Sequence, residues 1–118
     1  MASGKTRNIP LGAPEFDEEM AGAALNALRN ERFVLGEDVY KFEEEFARYV
    51  GIKYGVSTSS GTNAIQITLI ALGISHPDQV ITSSFSFVAS ANAVLHAGAI
   101  PAFSDIEPKT CNIDAEKM

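Results

Sequence analysis

Cysteine is nearly absent from this sequence: Cys111 stands alone, so no intrachain disulfide can form. Nothing in its cysteine usage points to an oxidising compartment, and Cys111 itself reads as a half-buried bystander rather than a nucleophile or ligand. Positive charge is scarce as well. Nine Lys and Arg stand against 15 Asp and Glu, for a formal net charge of −6. The basic residues are scattered and form no stripe. That excludes nucleic acid as a partner, because its phosphates are held by clustered Lys and Arg. Long apolar runs are missing too. Residues 1–8 are polar with two basic residues and no apolar stretch behind them, so neither a signal peptide nor a membrane anchor is expected. The uncharged stretch 55–77 is broken by Ser, Thr and Gly in the manner of a strand, turn and helix, not a membrane span. A cytoplasmic location is the default. No internal repeat, low-complexity segment or flexible linker is present.

What remains is an ordinary globular composition, 46% apolar and 20% charged over 118 residues, which suits one compact unit. Residues 10–14 run between two prolines and read as an extended or turning entry. Asp17 caps a first helix, with Glu18 and Glu19 in its first turn and Met20, Ala24, Leu25 and Leu28 at helical spacing. Residues 33–36 are a short loop. A second helix starts near Glu37, places Val39, Phe42, Phe46 and Val50 on one face, and ends at Gly51. Its Glu43, Glu44 and Glu45 point in different directions and form a solvated face, not a metal site; no metal is expected.

From Lys53 the pattern changes. Residues 54–58 read as a strand, 63–72 as an apolar helix closed by Gly73, and 79–83 as a second strand after a turn at Pro77 and Asp78. Ser86 can cap a third helix over residues 87–97, closed by Gly98, and residues 100–104 form a third strand. Strand, helix, strand, helix, strand at this spacing predicts an α/β fold: two N-terminal helices, then β-α-β-α-β with a parallel sheet. Asp114 begins a further helix that the chain leaves unfinished at Met118, so the C-terminus reads as a truncation. The expected division is an extended segment over 1–16 and a truncated domain over 17–118.

Two junctions could carry chemistry. The turn Ser59-Ser60-Gly61-Thr62 leads from a strand into a helix, where unpaired N–H groups and the helix dipole favour an anion. Gly61 permits close approach to the backbone, and Ser60 and Thr62 offer hydroxyls. The site lies where open α/β sheets bind ligands. No lysine stands near it in a Walker A spacing, which disfavours a nucleoside triphosphate. Taken alone, the tetrapeptide is better read as a helix cap. The run Ser83-Ser84-Phe85-Ser86-Phe87-Val88-Ala89-Ser90-Ala91-Asn92 also follows a strand and opens a helix, so it should lie on the same rim. Either phenylalanine alone reads as a core residue. Together, an anion-ready turn and an aromatic on one rim suggest a phosphorylated aromatic ligand.

The segment Phe33-Val34-Leu35-Gly36 through Phe42-Glu43-Glu44-Glu45-Phe46-Ala47 resembles the DegT/DnrJ/EryC1/StrS group of sugar aminotransferases. So do Val56-Ser57-Thr58-Ser59-Ser60-Gly61-Thr62-Asn63-Ala64, Val80-Ile81-Thr82 and Phe85-Ser86-Phe87-Val88-Ala89-Ser90-Ala91-Asn92-Ala93. The series continues through Asp105-Ile106-Glu107-Pro108 to Asn112-Ile113-Asp114. The match runs in order from about Ile9 to the last residue.

The resemblance implies the N-terminal portion of the large domain of a fold type I enzyme whose cofactor is pyridoxal 5′-phosphate. Gly61 and Thr62, helped by Ser60, would hold its phosphate, and Phe87 would stack on its ring. The loop at 33–36 would lie near the active site of a homodimer. The family's Schiff-base lysine would fall beyond Met118, so no catalytic residue is expected here. None of Lys5, Lys41, Lys53, Lys109 and Lys117 has its sequence context, and Lys53 reads as a surface charge. The whole enzyme would transfer an amino group from an amino acid, commonly glutamate, to a nucleotide-linked keto sugar. This chain alone would be inactive. Sugar dehydration with the same cofactor and a non-catalytic anion-binding or regulatory module are the rival expectations.

Overall fold

The computed structural model describes residues 9–118. The chain divides into two compact units, Met1–Gly55 and Val56–Met118. In the first unit, α1 (Glu18–Asn30) and α2 (Glu37–Val50) form where the apolar spacing places them. Asp17 accepts from Met20 N at 2.8 Å, the capping bond its position in the sequence implies. Gly51 closes α2 in the left-handed conformation at φ 79°, a position where a Cβ is disfavoured. Phe42 and Phe46 lie one helical turn apart with ring centroids 5.6 Å from each other, yet both stay half exposed. Only Ala47 is buried on this helix.

The second unit holds α3 (Gly61–Ala71), β1 (Gln79–Ser83), α4 (Ala89–His96) and β2 (Ile100–Ser104). The strands pair in parallel, Gln79 opposite Ile100 through Ser83 opposite Ser104. A helical crossover is what a parallel pair requires, and α4 supplies it. Leu69 of α3, Val94 of α4 and Ala99 form the core, with Ile74, Val80 and Ala97 packed against them. Gln66 Nε2 donates to His96 O at 3.3 Å, tying α3 to the last turn of α4. Gly73 and Gly98, at φ 76° and 83°, end the two helices. Beyond β2, Ile106 and Ile113 form an antiparallel bridge, and Ser104, the one buried polar residue among those described, places its Oγ 3.4 Å from Asp114 O. Asp114 caps a short 3-10 turn, Ala115–Lys117.

Three expectations need correction. Residues 54–58 form no strand: among the described residues the sheet contains β1 and β2 alone. Strand character is conferred by a neighbour's hydrogen bonds, and propensity cannot supply one. The sheet accordingly has two strands rather than three. The helix expected from Phe87 begins at Ala89, because Ser86 Oγ bonds to Ser90 Oγ at 3.2 Å instead of capping a backbone N–H. Cys111 is exposed, at φ 57°, not half-buried. Among the described residues, no helix is long and apolar enough to cross a membrane.

Candidate functional site

Ser60 is the N-cap of α3, in extended conformation at φ −164° and ψ 160°. Its Oγ accepts from Asn63 N at 3.2 Å, and its carbonyl accepts both Ala64 N at 3.0 Å and Thr58 Oγ1 at 3.0 Å. Asn63 Nδ2 donates to Ser59 Oγ at 2.7 Å. The turn is thus laced from both sides, and Thr58 and Asn63 are structural partners that motif reading passed over. A polar residue at the third helical position, facing back onto the cap, was the available signal.

The same lacing leaves two donors out. The N–H groups of Gly61 and Thr62 have no acceptor among the described residues, as expected for the first turn of a helix. Gly61 adds a second fact. Its φ lies outside the left-handed region, and a Cβ built on it meets nothing within 4 Å. The fold itself therefore does not need glycine here. This contrasts with Gly51, Gly73 and Gly98, which need a positive φ, and with Gly55, where a Cβ would lie 2.7 Å from Glu43 O. The open face at Gly61 lies beside the two free donors, as an anion cradle requires.

Phe87 lies in the connection leaving β1 and is 79% exposed, so it is not the core residue that its apolarity suggests. The backbone around it is held: Ser84 N donates to Ser104 O at 3.0 Å, Phe85 N to Ser83 Oγ at 3.1 Å, and Ser90 N to Phe87 O at 3.1 Å. Ser60, Gly61 and Thr62 are brought together at the head of α3. Phe87 precedes α4, which packs against α3 in the same unit. Of the lysines, Lys41 pairs with Asp38 at 3.3 Å, Lys53 lies 4.9 Å above the Tyr54 ring, and Lys117 pairs with Asp105 at 3.5 Å. Lys5 lies outside the described residues.

A mixed α/β chain with a parallel strand pair, a capped helix start and an exposed aromatic beyond a strand has the layout of an open α/β protein. Comparison with known proteins makes this specific. The chain belongs to the DegT/DnrJ/EryC1/StrS aminotransferase family, whose model matches residues 14–118. It is 43% identical over 91 residues to the UDP-2-acetamido-2-deoxy-3-oxo-D-glucuronate aminotransferase of Pseudomonas aeruginosa, covering 77% of this chain and 25% of that protein. An aminotransferase structure from Psychrobacter cryohalolentis superposes with a TM-score of 0.82 at 34% identity, over 92% of this chain and 28% of the other. The E. coli GDP-4-keto-6-deoxy-D-mannose-3-dehydratase with bound hydrated PLP gives a TM-score of 0.81 at 30% identity, over 92% and 30%. The fold is that of the fold type I aminotransferases over this region. The chain spans about a quarter to a third of the length of the relatives it matches.

Proposed function

We propose that this chain is the N-terminal part of the major domain of a pyridoxal-phosphate-dependent aminotransferase acting on a nucleotide-linked keto sugar, with an amino acid such as glutamate as donor. Residues 17–118 begin that domain and residues 1–16 lead into it. The carrying observation is Gly61: a glycine the fold does not need, with an open face beside two N–H groups that have no acceptor. A phosphate dianion fits such a cradle. The N–H groups of Gly61 and Thr62 and the Thr62 hydroxyl bind it, while Ser60 keeps the helix start in place. Phe87 offers its ring to the pyridine face. When bound, the cofactor supplies the electron sink on which amine transfer depends. The lysine that carries the proton lies outside this chain, and the enzyme works as a cytoplasmic homodimer.

Titration of the 13C,15N-labelled chain with pyridoxamine 5′-phosphate, which has no aldehyde to react with surface lysines, tests the cradle. The Gly61 and Thr62 amides and the Phe87 ring should move first, and shifts centred elsewhere would refute the assignment. Amine transfer by this chain alone, given cofactor and glutamate, would refute the placing of the lysine. The dehydratase relative favours a second reading, loss of a sugar hydroxyl with the same cofactor. Product analysis on the whole enzyme separates the two: an amino sugar supports transfer and a deoxy sugar supports dehydration.

A further inference from the structure

We draw no further inference here: the strongest candidate, the cavity of about 500 Å³ between α2 and residues 52–55, is lined by carboxylates (Glu43, Glu44) and cations (Arg48, Lys53) alike, which single out no ligand, and nothing in the structure shows what covers it.

Discussion

Replacing Gly61 by alanine should divide what the fold needs from what a ligand needs. A methyl added there meets no protein atom within 4 Å and faces no left-handed φ, so the folded state carries no clash and no strain. Losing glycine also restricts the unfolded chain, worth about 0.4–1 kcal/mol where the native backbone tolerates a side chain. The position is the first of α3, where helix propensity counts for less than in the interior, so the expected change lies between neutral and that gain. Binding should go the other way. The methyl would project onto the face beside the Gly61 and Thr62 N–H groups and hold the phosphate off at least one of them. A lost charge-assisted hydrogen bond costs about 1.5–3 kcal/mol, or roughly 10- to 150-fold in affinity. Urea unfolding of this chain reads the first effect, and cofactor affinity of the whole enzyme, followed by its absorption on dialysis, reads the second. Two outcomes would refute the reasoning. A variant less stable by more than 1 kcal/mol on the scale of ordinary substitutions would show that the fold needs this glycine after all. Unchanged cofactor affinity would show that nothing approaches it.

The neighbouring residues separate the same two roles. Ser60→Ala removes the Asn63 cap and should cost about 1 kcal/mol of stability in urea unfolding, whereas Thr62→Ala, whose hydroxyl has no partner among the described residues, should cost little. Thr62→Ala should weaken cofactor binding by about 1.5–3 kcal/mol and Ser60→Ala by less, through the loosened helix start; affinity unchanged by both would make the turn a cap only. Phe87→Ala should leave the stability of this chain within about 0.5 kcal/mol, given its exposure, yet lower cofactor affinity in the whole enzyme. Val94→Ala, in the core with Leu69 and Ala99, should cost about 1.5–3 kcal/mol, read from the unfolding midpoint. The half-exposed Phe42, Phe46, Ile67, Ile70 and Leu95 leave enough apolar surface for self-association. A clean monomer on size exclusion at micromolar concentrations would contradict this.

What the sequence discloses divides along a physical line. Elements whose ends are set locally were legible. Asp17 and Gly51 bound their helices as their chemistry demands, and the strands at 79–83 and 100–104 form where Gly98, Pro77 and Asp78 punctuate the chain. Ser60 capping α3 was legible for the same reason, although the helix starts two residues earlier than the apolar pattern alone placed it. Choices between equally good partners were not legible. The Ser86 hydroxyl could reach a backbone N–H or another hydroxyl, and no periodicity decides between them. The bond from Glu37 N to Glu31 Oε2, at 2.6 Å, was hidden as well, because a carboxylate six residues from the N–H it caps matches no capping motif.

Residues 54–58 mark the limit most clearly. Val56 and its β-favouring neighbours qualify the segment as a strand by composition, yet a strand exists only when another backbone takes up its N–H and C=O groups. The helices that flank this segment close their own hydrogen bonds and so appear whatever else is present. That asymmetry explains why the turn at Ser60 to Thr62, the proposed cradle, is already formed here. Its geometry comes from a helix start and its local lacing, through Thr58, Ser59 and Asn63, and not from the sheet. The proposed cradle can therefore be tested in this chain, because its donors at Gly61 and Thr62 come from the helix start and not from a paired strand.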